Sequence, residues 1–302
     1  YLLDALQRTK GHAEQRRDNL FKQPLTFKFP VNFNGSFASF NIDPKRIKPS
    51  GIKAAIIREK GVNGDREMAY ALYLAGFDVK DVHMTDLMTG REDLREVNMI
   101  VFVGGFSNSD VLGSAKGWAG AFLYNPKAKA ALDNFYKRQD TLSLGVCNGC
   151  QLMMELGLIN REVEMAQHPK LHHNGSGKFE STFLAISIPK NNSVMLSSYE
   201  GTQLGVWVAH GEGRFDLTNQ RDYQVAATYS YTQYPGNPND SDQAVAALCS
   251  ADGRHLAIMP HIERTLFPWN WGYYPADRKR DEVGPWIKAF VNAREWVRKV
   301  KD

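Results

Sequence analysis

Two cysteines stand three residues apart in GVCNGCQLMMELGL, residues 145–158. The first lies in Gly145-Val146-Cys147-Asn148-Gly149, a pattern of the form G-x-C-x-G. The run before it, TLSLGV, reads as a buried strand, and the run after it as a helix. A cysteine between the two has the setting of a nucleophile elbow, with sulfur in place of the usual hydroxyl. The flanking glycines suit a tight turn pressed by neighbouring chain. Free N–H groups and the dipole at the helix N-terminus favour a thiolate, and the amide of Asn148 would face a developing oxyanion. Spacing alone leaves two other readings open. One is a redox C-x-x-C, which also occurs between a strand and a helix, and the other is core packing. A zinc site fits less well, because no second C-x-x-C occurs.

A second pair lies far along the chain. IMPHIER places His261 and Glu263 just after an apolar run that reads as a strand. In an extended segment, residues two apart point the same way. The histidine could then take a thiol proton while the carboxylate fixes its tautomer and supports its charge. In isolation the pair would read as a surface histidine beside a salt-bridged glutamate. It gains weight from co-occurring with the cysteine turn. VFVGGFSNSD ends a strand in Gly104-Gly105. Such a turn can bring backbone N–H groups to an anion or oxyanion, or can be a plain turn. G-x-G-x-x-G is absent, so dinucleotide binding is not indicated.

These residues need a scaffold, and from Ile52 onward the pattern alternates strand and helix. IKAAIIRE reads as a buried strand. NGDREMAYALYLAGF follows as a helix, with Asn63 as N-cap and Gly76 as its stop. DVKDVHM and NMIVFVGG read as further strands. Residues 118–138 read as helical, with Pro126 marking a break. The alternation implies an α/β fold, a mostly parallel sheet flanked by helices. The second half adds strands in FESTFLAISIP, GVWVAH, YQVAATYSYT, AVAALCS and RHLAIMP, then a final helix over 284–300. Residues 1–50 differ. Residues 2–19 read as a polar helix interrupted at Gly11, and the Pro-, Asn- and Phe-rich stretch after it as a linker. The expected division is 1–50 as linker and remnant of a preceding region, and 51–302 as the domain.

Composition narrows the classes. A net charge of +4 over 302 residues argues for neither nucleic acid nor an acidic membrane surface. Three cysteines make a disulfide framework unexpected and suit a reducing, cytoplasmic setting. No run of about 18 apolar residues suggests a membrane span. The mixed-sign cluster DRKRDE, residues 277–282, reads as a solvated loop. His168, His172 and His173 lack a carboxylate or cysteine partner at ligand spacing. WNWGYY, residues 269–274, reads as core or domain-contact packing.

Taken together, these segments resemble the triad, or class I, glutamine amidotransferases, whose fold is flavodoxin-like. Within them the chain is similar to the C-terminal glutaminase domains of the large single-chain formylglycinamide ribonucleotide amidotransferases. The collinear segments include REKGVNGDREMAYALYLAGFDVKDVHMTDL, LGVCNGCQLM, HHNGSGKFES, AHGEGRF and MPHIERTLFP, within about residues 52–302. The resemblance implies Cys147 as nucleophile, His261 as general base and acid, and Glu263 as its orienting carboxylate. It implies backbone oxyanion donors at Gly105 and Asn148. It implies a glutamine pocket drawn from Phe106, Gln151, Asn174, Ser176, Phe179 and Glu180. His210, in AHGEGRF, falls near the site by the same resemblance. Asn108-Ser109 stands where the family commonly has Tyr-Gly, and Lys116 where it commonly has Glu. QRRDN, residues 15–19, resembles the end of the family's synthetase portion.

The implied reaction is glutamine hydrolysis through a cysteine thioester. It would supply ammonia for ATP- and magnesium-dependent formation of an amidine in purine synthesis. No cofactor or metal is implied in this chain, ATP and magnesium belonging to the synthetase domain of the same longer chain. L-Glutamine and that domain are the implied partners. The alternatives are another Cys-elbow hydrolase of similar fold, such as a peptidase or deglycase-like protein, and an inactive docking domain.

Overall fold

Short apolar runs such as KAAIIR and LSLGV bury both faces, so they can serve only as inner strands of a covered sheet. A computed structural model describes residues 11–217 and 223–301. In it β1 (Lys53–Arg58), β2 (Asp78–His83), β3 (Met99–Phe102) and β4 (Leu142–Val146) pair in parallel, and β11 (His255–Ile258) joins β4, also in parallel. Then β10 (Val245–Cys249), β9 (Gln224–Tyr229), β6 (Glu180–Ser187) and β7 (Gln203–His210) extend the sheet in antiparallel fashion. The order is β2-β1-β3-β4-β11-β10-β9-β6-β7. The chain leaves β1 for β2, then crosses back to β3, so the strand order reverses between β1 and β3. That reversal opens a crevice at the carboxyl ends of the strands, where ligands of such sheets bind.

Seven helices lie among the described residues: α1 (His12–Asn19), α2 (Asp65–Ala75), α3 (Met84–Thr89), α4 (Lys116–Tyr124), α5 (Pro126–Lys137), α6 (Asn148–Glu155) and α7 (Ile287–Lys301). α2 packs on α7, α5 on α3 and α4, and α6 on β3, β4 and β11. Helix α5 starts at Pro126 because Asn125 caps it, its side chain accepting from Lys127 N–H and Ala128 N–H.

One expectation is corrected, and three short elements carry no signal in the sequence. Asn63 does not cap α2, since Gly64 occupies that position. Asn63 is instead drawn toward the crevice, its N–H donating to Gly104 O at 2.8 Å and its side chain accepting from Arg264. The six-residue α3 went unseen, as did the three-residue strands β5 (Lys170–His172) and β8 (Arg214–Asp216). Such short elements complete no hydrophobic period. The helix expected over 2–19 is present as α1, and its part before Gly11 lies outside the described residues.

The stretch after α1 has the irregular backbone of a linker, yet it is tied down. Lys28 bridges to Gln203 at the start of β7. Phe27 and Phe29 lie edge-on to Trp271, with ring centroids 5.1 and 5.6 Å away. Phe33 packs on Phe29, and Arg278 lies over the Phe33 ring while donating to Phe33 O. Of WNWGYY, Trp271 and Tyr274 are thus buried in packing, while Trp269 and Tyr273 remain exposed. DRKRDE also does more than face solvent, since Glu282 accepts from Phe37 N–H. Trp271→Ala should cost about 3–5 kcal/mol of stability and speed tryptic cleavage at Lys22 and Lys28. Urea unfolding and limited proteolysis read the two effects.

Candidate active site

The elbow forms because two glycines let three backbone segments meet. A Cβ on Gly145 would lie 2.5 Å from Gly149 O, and one on Gly149 would lie 2.0 Å from Phe102 O. Cys147, between them, adopts φ 52°, ψ −107°. Such a conformation costs a non-glycine residue about 1–3 kcal/mol, and it persists only where its surroundings enforce it. Here Cys147 N–H donates to Ile258 O at 2.9 Å, pinning the turn to the end of β11. Cys147 holds the N-cap position of α6 and is 5% exposed, and its sulfur lies 3.6 Å from Ala209 O.

β4 and β11 run in register, Val146 beside Ile258, so both chains leave the sheet at one level. His261 follows from β11, held by its N–H to Trp207 O at 2.8 Å. Its Nδ1 meets Glu263 Oε1 at 2.7 Å, and both side chains are buried. The pair forms, but not by strand alternation. Residues Ile262–Arg264 make a 3-10 turn that swings the carboxylate back onto the ring. With Nδ1 engaged, Nε2 is the ring nitrogen left to face the Cys147 sulfur. Burial alone would push the His261 pKa down. The Glu263 carboxylate and the Cys147 sulfur, with their hydrogen bonds, outweigh it and raise the pKa to about 10. Gly64, at the N-terminus of α2, abuts Glu263: a Cβ there would lie 3.5 Å from Oε1.

Gly105 and Asn148 flank the sulfur. Asn63 N–H donates to Gly104 O and Phe106 N–H to Gly61 O, with Val62 paired opposite Gly105. In an antiparallel pair of that kind the central residue's own N–H points away from its partner. For Gly105 that direction is toward the β4 side, where Cys147 sits. Gly105 has φ 123°, and a Cβ there would lie 2.5 Å from Val62 Cα, so only glycine fits. The amide of Asn148 is the first of α6 and has no intrahelical acceptor.

The remaining expected pocket residues divide. Phe106 and Phe179 face each other with centroids 6.0 Å apart, both half-exposed. Gln151 donates to Glu212 O at 2.6 Å. Both residues line a cavity of about 450 Å³ that also includes Ser114, Lys116 and His173. Asn174 acts on backbone, donating to His210 O and Lys178 O and accepting from Gly213 N–H. Ser176 and Glu180 turn to the other side. Ser176 lies by Tyr234. Glu180 accepts from Arg16 and from Tyr234 O–H, each at 3.1 Å.

Several contributors carried no signal in the sequence: the carbonyls of Ala209 and Glu212, Arg16, and the side chain of Asn148. His210 is buried, and neither ring nitrogen has a protein partner. Burial, then the nearby His261, lowers its pKa to about 3. His168 and His172 bond Val163 O and Asp216. Among the described residues no group of three or more His, Cys, Asp or Glu is placed to hold a metal ion.

Cys150 is fully buried on α6, and burial pushes its thiol pKa up. Cys249 is raised to about 12 for the same reason. Iodoacetamide near pH 7.5 should therefore modify Cys147 alone among the three. Peptide mapping showing Cys150 modified as fast would contradict this.

Known proteins share this sequence and this fold. Residues 51–297 match the model of the CobB/CobQ-like glutamine amidotransferase domain. A phosphoribosylformylglycinamidine synthase of Homo sapiens is 45% identical over 323 residues, spanning 98% of this chain and 24% of that protein. One of Dictyostelium discoideum is 40% identical over 98% of this chain and 24% of its own length. The chain thus spans about a quarter of these relatives. The solved structure of PurLQS from Thermotoga maritima superposes with a TM-score of 0.62 at 24% identity, over 85% of this chain and all of that one, and shows the shared fold. No described helix is long and apolar enough to cross a membrane. With most of its length matched, the chain belongs to the CobB/CobQ-like glutamine amidotransferase domain family.

Proposed function

We propose that this chain is the glutaminase part of a longer phosphoribosylformylglycinamidine synthase and that Cys147, His261 and Glu263 are its catalytic triad. The observation that carries this reading is a buried sulfur–imidazole–carboxylate line at a strained elbow, flanked by two inward backbone amides. The sulfur of Cys147 attacks the carboxamide carbon of glutamine, its proton residing on His261. The oxyanion that forms is held by Gly105 N–H and Asn148 N–H. His261 passes its proton to the leaving nitrogen, ammonia departs, and a thioester remains. Water then attacks the thioester and gives a proton to His261. Collapse frees glutamate, and the proton returns to the Cys147–His261 pair. The sum is glutamine plus water to glutamate plus ammonia. Cys150 takes no part, being packed inside α6.

Phe106, Phe179 and Gln151 form the walls of the glutamine pocket, while Asn174, Ser176 and Glu180 support it from behind. We assign residues 1–50 to the connection with a preceding synthetase portion. Contacts such as Arg16 with Glu180 support this, because they tie that segment to the back of the pocket. ATP and magnesium would act in that portion, where the ammonia converts formylglycinamide ribonucleotide to its amidine. The proposed compartment is the cytoplasm, which suits three unpaired, buried cysteines.

In the full-length chain, Cys147→Ala should abolish glutamine-dependent amidine formation, by on the order of 10⁴ or more, yet keep formation from ammonium. Loss of both, or of neither, would contradict the assignment. The His261 pKa, raised to about 10, sets a second expectation. The protonated ring is the acid that expels ammonia, so activity should persist upward in pH and fall near 10. Glu263→Gln removes a cause of the rise, so the basic limb of the kcat/KM profile should move to lower pH. An unmoved limb with a lowered melting temperature would make Glu263 structural only.

A further inference from the structure

The residue after the nucleophile needs only a backbone N–H to serve an oxyanion, and any amino acid supplies that. The side chain of Asn148 is nevertheless completely buried and fully engaged. Its Oδ1 accepts from Ser107 N–H at 3.0 Å. Its Nδ2 donates to Gln151 Oε1 at 2.9 Å, with Asp110 Oδ1 at 3.5 Å. Gln151 in turn donates to Glu212 O. A single row of hydrogen bonds therefore runs from the loop after β3, through α6, to the turn after β7.

The loop end of that row is strained. Asn108, Ser109 and Asp110 all have left-handed φ, at 51°, 56° and 50°. None is glycine, and consecutive residues rarely sit there, because each side chain crowds its own backbone. Such a segment reverts to ordinary conformations unless its surroundings hold it. Ser107 is the last residue before the strained run, and Gly105 lies two residues upstream. The bond from Ser107 N–H to Asn148 thus fixes the loop between its strain and its candidate oxyanion donor. An amide is the side chain that fits. It accepts at one atom and donates at the other, whereas a carboxylate lacks the donor and an alkyl group lacks both.

We propose that the Asn148 side chain is a positioning residue, a latch that holds the strained loop so that Gly105 N–H stays aligned with Asn148 N–H over the reacting carbonyl. The inference rests on the glutaminase reading of the site. It predicts a loss confined to transition-state stabilisation, with the thiol itself left competent.

The test compares Asn148→Ala and Asn148→Asp with the unmodified full-length chain. Glutamine kcat and KM, iodoacetamide modification of Cys147, and ammonium-dependent amidine formation are measured for each. The alanine variant should lose about 10²-fold in glutamine kcat with little change in KM. Alkylation, which forms no oxyanion, and the ammonium reaction should stay within about threefold. The aspartate variant keeps the acceptor for Ser107, and when protonated it regains a donor. Its kcat relative to the unmodified chain should therefore rise as pH falls toward the carboxyl range. An alanine variant with near-normal glutamine kcat would overturn the latch. So would parallel losses in alkylation and the ammonium reaction, which would mark a merely structural side chain. An unmodified chain with ammonium activity but no glutamine turnover would instead overturn the glutaminase reading.

Discussion

The carbonyl of Phe102 fills the space that any side chain at residue 149 would need, and the arrangement of the site follows from that contact. It lets α6 begin directly against the end of β3, which forces the chain to turn sharply at Cys147. The turn places the sulfur at a helix N-terminus and leaves the amide of Asn148 free. The neighbouring strands then do the rest. β3, β4 and β11 are adjacent, and adjacent strands lie about 4.8 Å apart. Groups just beyond their ends, at Gly105, Cys147 and His261, therefore fall within reach of one small substrate. No long-range adjustment is needed, because sheet spacing sets the distances.

Two buried histidines beside the elbow show how charge is apportioned. Burial disfavours the charged form of both. His261 has Glu263 on one nitrogen and the Cys147 sulfur on the other, and these reverse the effect. His210 has no such partner and stays neutral. A positive ring is thus favoured beside the Cys147 sulfur, and the second ring does not compete for it.

Most of the parallel half of the sheet was legible because β1, β3, β4 and β11 are short, largely apolar runs. G-x-C-x-G was legible because close backbone approach admits only glycine at its ends. The H-x-E pair was correctly joined for a partly wrong reason, since a 3-10 turn and not strand alternation brings Glu263 to His261. The packing of residues 20–50 was hidden, because isolated phenylalanines among prolines and asparagines have no period, and their partners Trp271 and Arg278 lie more than two hundred residues away. The Asn148 row was hidden for a related reason. A lone asparagine after a cysteine carries no pattern, and its role emerges only when three loops meet around it.

In the proposed reaction the sulfur of Cys147, and no other atom, receives the glutamyl group. Rapid acid quench of the full-length chain during turnover of labelled glutamine, followed by peptide mass mapping, tests it directly. A glutamyl thioester is expected on the peptide carrying Cys147, formed and lost at rates that match steady-state turnover. With Cys147 and Cys150 in one peptide, fragmentation must place the label on the first. A label on Cys150, or steady turnover with no covalent glutamyl species at any quench time, would contradict it.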